Sequence, residues 1–97
     1  MRIVWDDEKS RLNFAKHKVR FERAMLVFDD PLHISIRDPC ETEERWRTLG
    51  LVNGVVILIV VHTVKEEEND EEEIRIISAR KASPFERKAY DSSHEGK

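Results

Sequence analysis

The residues of this 97-residue chain best suited to chemistry are cations and histidines that extended segments can present side by side: Arg45, Arg47, Lys65, Arg75, Arg80 and Lys81, with His33 and His62. A guanidinium offers a rigid fork of donors that fits a phosphate bidentately, whereas an ammonium acts as a point charge. Histidine titrates near neutrality and can take or give a proton. Such a set suits reactions at phosphorus, in which cations hold developing charge and an acid–base group moves the proton. Each residue also has a plainer reading. Arg80 ends a strand and can pair with the helix that follows, a weak surface contact. His62 sits in the most apolar strand, where histidine is often a hydrogen-bonded structural residue. His33 reads as a solvated side chain on a polar strand face, and His17 as a helix-end residue meeting the helix dipole. Trp5 and Trp46 read as core rather than as platforms for bases, and Tyr90 as helix packing.

Other chemistries fit less well. Asp6-Asp7-Glu8 and Asp29-Asp30 are explained by helix capping and termination rather than by a metal. The run from Glu66 to Glu73 holds seven acids but lacks the ligand spacing of a calcium loop. No metal and no cofactor are expected. Cys40 is the single cysteine, which excludes an internal disulfide, and no basic residue adjoins it to activate the thiol. The net charge of −3 looks wrong for a polyanion-binding protein. Setting aside the seven acids, however, leaves 17 bases against 13 acids, a mildly basic body compatible with a phosphate site.

The elements that must position these groups follow from periodicity. The length suits one domain over 1–97. Ile3-Val4-Trp5 reads as a short strand, and Asp6 and Asp7 can cap a helix over 7–17 whose buried side would be Leu12, Ala15 and Phe14. After a turn at 18–20, Phe21, Ala24, Met25 and Phe28 predict a second helix over 21–28, stopped before Pro31. Leu32, Ile34 and Ile36 alternate with polar residues as a half-buried strand. Strands are predicted over 45–52 and 55–64 around the Asn53-Gly54 turn, and again over 74–79. The acidic stretch 65–73 reads as a solvated loop, since like charges repel in a strand. Ser83-Pro84-Phe85-Glu86 is a capping box opening a last helix over 84–91, with a frayed tail over 92–97. The result is an α+β fold: a mainly antiparallel sheet of four to five strands, with two N-terminal helices and one C-terminal helix packed on one face. No apolar run reaches the roughly 20 residues of a membrane helix, and no signal core opens the chain, so a cytoplasmic protein with no membrane partner is expected.

Four stretches, in order, resemble one known family. Trp5-Asp6-Asp7-Glu8-Lys9 with Asn13 and Lys16-His17-Lys18-Val19 is similar to a WDxxKxxxNxxKHxV signature. Phe21-Glu22-Arg23-Ala24 and Val27-Phe28-Asp29-Asp30-Pro31 resemble an FEEAxxVFxDP segment. Glu44-Arg45 through Gly50 matches an ERxxxxG strand, and Ile76 to Ala82 with Glu86-Arg87 and Tyr90 matches IISARxAxxxERxxY. On these stretches the chain resembles the BrnT toxins of the RelE-like superfamily. Where members often carry a basic Thr-Glu-Arg turn after the central strand, this chain reads Thr63-Val64-Lys65 followed by the acidic run.

The resemblance implies a RelE-like fold and the ribonuclease toxin of a type II toxin–antitoxin module, a growth-arresting inhibitor of translation that acts on RNA. It implies a BrnA-like antitoxin partner in a complex of two toxins and two antitoxins, with operator DNA reached only through the antitoxin. For metal-independent cleavage through the ribose 2′-hydroxyl, Arg80, Arg45 and Lys65 are expected around the scissile phosphate, with His62 as acid–base group. Lys81, Arg75, His33 and Arg47 are expected to contact RNA. The second reading is a non-enzymatic homologue kept as an antitoxin-binding, operon-tuning module, which Lys65 and the acidic run favour.

Overall fold

Asp6 opens the first helix by accepting a hydrogen bond from the Lys9 amide at 3.1 Å. In this computed structural model, which describes residues 1–94, that helix is α1 (Asp7–His17), with Asp7 and Glu8 in its first turn and Lys16 and His17 in its last. Both pairs complement the helix dipole, and Lys18 ends the helix with a left-handed φ of 61°. Of the expected apolar side only Phe14 is half-buried: Leu12 is 56% exposed and Ala15 is exposed. Ser10 and Asn13 are buried instead. The Asn13 amide donates to the carbonyls of Val19 and Ala79, both at 2.8 Å, and its oxygen accepts from the Ala79 amide at 3.1 Å. A polar clamp therefore does what an apolar stripe was expected to do.

The predicted second helix splits into α2 (Phe21–Ala24) and a 3-10 helix over Met25–Asp29. The tighter winding presses Val27 onto Gly50, where a Cβ would lie 2.7 Å from the Val27 carbonyl oxygen. Five strands form one sheet: β1 (Arg2–Val4), β2 (Ile34–Asp38), β3 (Arg45–Val52), β4 (Val56–Glu66) and β5 (Glu72–Lys81). Their order is β1-β5-β4-β3-β2, antiparallel except for β1, which runs parallel to β5. Strand β2 is an edge, begins two residues later than predicted, and leaves Leu32 and Ile36 about half exposed.

The helices divide between the two faces of the sheet rather than sharing one. Val19, Phe21, Ala24 and Val27 pack against Val52, Leu58, Val60, Ile76 and Ala79 on the first face. Trp5 joins this core edge-on to Phe21, with ring centroids 6.3 Å apart. The last helix, α3 (Pro84–Ser92), instead sets Tyr90 against Leu49 and Ile59 on the second face. Leu58 and Val60 alternate with Ile59, so both sides of β4 are buried here, which is why its sequence is a continuous apolar run rather than an alternating one. Ser83 and Glu86 form the predicted capping box. Asp30 ties the ends together, accepting from the amides of Leu32 (2.9 Å) and Leu51 (2.7 Å) and from the Tyr90 hydroxyl.

Two further expectations change. The acidic loop is shorter than 65–73, because Lys65 pairs with Glu73 and Glu66 with Glu72 in the β4–β5 hairpin. Pairing that starts in the apolar part of the strands carries on into the acids, and Arg2 bridges Glu67 and Glu73. The tail is ordered further than expected: Ser92 is helical, Ser93 Oγ donates to the Tyr90 carbonyl at 2.7 Å, and His94 Nε2 donates to the Leu32 carbonyl at 2.7 Å. The rest of the tail, 95–97, lies outside the described residues.

Candidate nucleic-acid interface

Strand register sorts the candidate residues by face. Arg47 pairs with Val61, and Val61 with Ser78, so their side chains share the second face. Two residues along β3 and β4, and three along β5 because a bulge there adds Ile77, Arg45, Thr63 and Arg75 share that face, and Thr63 pairs with Arg75. Lys65 follows at the next same-face position of β4, and Arg80, opposite Ile59, lies on the same side toward α3. Five of the predicted cations thus come from three strands onto one face, and only its far end is covered by Tyr90.

Glu43 brings two of them together. It lies in the turn before β3, and its carboxylate accepts from Arg45 Nε at 2.7 Å and from Arg75 at 3.2 Å. The Arg45 hydrogen bond, aided by the charge of both arginines and of Lys9, holds Glu43 below the usual carboxylate range against the cost of desolvation. Arg47 is held by Asp38 at 2.6 Å. Arg80 is set apart. It stands five residues along β5 from Arg75, roughly 16 Å of strand, and its fork closes on both oxygens of Glu86 at 2.7 and 2.9 Å. That pairing holds Glu86 down to about 2.

The structure separates both predicted histidines from these cations. His62 pairs with Trp46 and faces the helices, 2% exposed, with Nε2 2.6 Å from Thr48 Oγ1 and its ring edge-on to Phe28 at 5.0 Å. Burial pushes its pKa down, so it is neutral at pH 7. Strand alternation explains the separation: His62 is even in a strand whose odd positions look to the arginines. His33 precedes β2 instead of lying in it and donates from Nδ1 to the Asp30 carbonyl at 2.7 Å. Lys81, opposite Leu58, is exposed on the helix side.

A hollow of about 470 Å³ does adjoin His62, but Glu44, Glu66 and Glu72 rim it over a floor of Trp46 and Val64. Its charge repels phosphate. Residues absent from the expected set prove to be placed on the basic side. Glu43 carried no local signal, because only pairing across three strands brings it to Arg75. Lys9 and Lys16, seven apart on α1, line a second hollow with His17 and Ser78. Their helical spacing was the available signal.

A family model described as the ribonuclease toxin BrnT of type II toxin–antitoxin systems matches residues 5–86. The crystal structure of the Brucella abortus ribonuclease toxin BrnT is similar, with 32% sequence identity and a TM-score of 0.60, over 86% of this chain and 97% of that one. A search of curated proteins finds no match. No helix among the described residues is long and apolar enough to cross a membrane. The α+β sheet with its three helices, and the match over most of its length, place the chain in the BrnT family of ribonuclease toxins of type II toxin–antitoxin systems.

Proposed function

We propose that this chain is a metal-independent endoribonuclease whose substrate lies across the second sheet face. The observation that carries the reading is the meeting of Arg45 and Arg75 on one carboxylate. Two guanidiniums that each donate to one oxygen of a single carboxylate are spaced to hold a phosphodiester in its place. In the reaction the 2′-oxygen attacks phosphorus and the bond to the 5′-oxygen breaks. A 2′,3′-cyclic phosphate and a 5′-hydroxyl result, and DNA, lacking the 2′-hydroxyl, is not a substrate. Arg45 and Arg75 stabilise charge on the five-coordinate phosphorus, while Arg47 and Lys65 hold the flanking backbone. Glu43, displaced from the forks by phosphate, loses the hydrogen bonds that depress its pKa and becomes a carboxylate able to accept the 2′-hydroxyl proton and to return it, relayed by water, to the leaving 5′-oxygen. Arg80 acts from further along the face once it leaves Glu86, and His62 serves as a packing residue.

Incubation of the purified protein with total RNA in EDTA tests this. Cleavage persists, and Arg45→Ala and Arg75→Ala each lower it at least tenfold while remaining folded, in line with the loss of a charge-stabilising donor. Abolition of wild-type cleavage by EDTA rules the mechanism out.

A second reading has its own support: the arginine forks already carry carboxylates, Arg80 on Glu86 and Arg45 with Arg75 on Glu43. A silent homologue retained to bind its antitoxin and tune the operon would look like this. Induced expression in a bacterium decides. Growth arrest relieved by the co-encoded partner supports the nuclease, and indifferent growth supports the binding module. Type II membership implies an antitoxin partner. We propose two copies of each protein in the complex, with operator DNA held by the antitoxin, and light scattering on the co-purified complex reads that mass.

A further inference from the structure

The sheet arginines are all neutralised by carboxylates, but Lys9 and Lys16 on the adjoining α1, like Lys65 on β4, are not. Among the described residues, Lys9 and Lys16 have no carboxylate within 4 Å. Both are exposed, and both line a hollow of about 240 Å³ between α1 and β5 together with His17, Leu12 and the Ser78 side of the strand. Positions 9, 12 and 16 stack on one face of the helix. The strand side of the hollow is shaped by an irregularity in β5: Val61 pairs with Ser78 but His62 with Ile76, leaving Ile77 as an extra residue. Bulges of this kind re-aim side chains.

The hollow is continuous with the arginine face. Arg47, Val61 and Ser78 form one row across the sheet, so Ser78 stands two strand spacings, about 10 Å, from Arg47 and at the edge where α1 begins. From the other side, Lys9 is near enough to Glu43 to help keep that carboxylate ionised. Asn13, clamped to both backbone groups of Ala79, fixes the helix against the strand and so sets where the lysines stand.

We infer that the hollow between α1 and β5 is a second phosphate subsite, in which Lys9, Lys16 and the Ser78 hydroxyl hold a backbone phosphodiester of the RNA adjoining the one at Arg45 and Arg75. Leu12, 56% exposed within it, offers an apolar surface to the neighbouring ribose or base. The inference rests on the nuclease reading and extends it: a polyanion crossing the sheet toward β5 meets uncommitted ammonium groups just past the last arginine. The subsite contributes affinity and register rather than chemistry.

The test uses the intact protein and a short 2′-O-methyl oligonucleotide, which binds without being cut. Lys9→Ala combined with Lys16→Ala lowers its affinity roughly tenfold at low salt, and the log–log dependence of affinity on salt flattens by about one to two. With cleavable RNA, KM rises and kcat at saturation stays unchanged, while the paired substitutions to Arg restore binding. An unchanged thermal midpoint excludes misfolding. Unchanged oligonucleotide affinity in a wild-type background that cleaves RNA overturns the subsite and leaves the nuclease reading standing. Loss of the co-encoded antitoxin's binding with unaltered RNA affinity also overturns it, identifying a protein-docking surface. A wild-type protein that neither binds the oligonucleotide nor cuts RNA removes the nuclease reading and the subsite with it.

Discussion

Replacing Asn13 with alanine removes one small side chain, yet it strikes the contact that joins α1 to the sheet. The amide makes three hydrogen bonds, two at 2.8 Å and one at 3.1 Å, and is 8% exposed. Strand β1 ends at Val4, opposite Arg75, so it does not extend along β5 to Ala79. Alanine therefore leaves the Ala79 amide and two carbonyls unpaired. Three bonds at about 1 kcal/mol each, with a further 1–3 kcal/mol for stranded groups, give roughly 4–6 kcal/mol. Water entering from the neighbouring hollow recovers part of this, leaving about 3 kcal/mol. That is a large share of the roughly 5–15 kcal/mol expected for a domain. With a urea slope of about 1.5 kcal/mol per molar, the unfolding midpoint falls by about 2 M, read from the fluorescence of Trp5 and Trp46. Asn13→Asp adds a check of sign. A buried carboxylate facing two carbonyls has its folded pKa raised, so the variant is most stable in acid and loses stability as pH rises past the unfolded value. A midpoint shift below about 0.5 M for Asn13→Ala would refute the idea that this clamp, rather than apolar burial, holds α1.

The Arg80–Glu86 pair makes stability depend on pH. Glu86 is held down to about 2, from an ordinary 4.5, so its contribution is complete above the ordinary value and is lost as pH falls toward the folded one. The full shift corresponds to about 3 kcal/mol, but Arg80 is 44% exposed and solvent screening leaves about 1 kcal/mol. The stability gap between wild type and Glu86→Gln, which keeps the capping box, should close between about pH 5 and pH 2 in urea titrations; a constant gap contradicts the pairing. Gly50→Ala drives a Cβ to 2.7 Å from the Val27 carbonyl and 2.8 Å from its Cβ, costing about 2–3 kcal/mol by thermal unfolding, and an unperturbed midpoint would show that the 3-10 helix yields freely. His62→Gln should lower stability by about 1–2 kcal/mol and leave RNA cleavage within about threefold; loss of cleavage in the folded variant would return His62 to the chemistry.

Periodicity made the strands and the closing helix legible, because each rests on local pattern: alternation, the Asn53-Gly54 turn, and three agreeing signals at Ser83-Pro84-Glu86. It failed where a contact is made at long range. Asn13 gives no sign in the sequence that its partners are Val19 and Ala79, so the expectation for α1 falls on an apolar side of which only Phe14 is half-buried. The apolar run of β4 predicts a strand, but it also marks burial on both faces, and hence the placement of α3 away from the other helices. For the site, alternation within β3 is enough to group Arg45 with Arg47 and to set Trp46 against them. The same alternation, carried to β4, separates His62 from the arginines once Trp46 is known to pair with it. That register depends on where the hairpin closes and is not visible in either strand alone. Glu43 and the lysines of α1 come to the basic face only through pairing and packing, so residue type could not single them out.

The net acidity of the chain and its proposed hold on a polyanion are reconciled by the sheet itself. Glu66 and Glu72 face the helix side beside Glu44, around the hollow that adjoins His62. Arg45, Arg47, Lys65, Arg75 and the α1 lysines gather on or beside the opposite face. Side chains projecting from opposite faces of a sheet are separated by about 10 Å or more, whereas at physiological ionic strength exposed charges are screened over about 8 Å. RNA approaching the second face is therefore little affected by those three acids; the carboxylates that share its face, Asp38, Glu43 and Glu86, are each held by an arginine, while Lys9 and Lys16 beside it are not so held. Lys65 and Glu66, adjacent in sequence, show the division at its smallest scale: one residue of strand is enough to send a cation to one side and a carboxylate to the other. What binds phosphate in such a protein is decided by register, so the sum of charges over the chain is a poor guide to its partner.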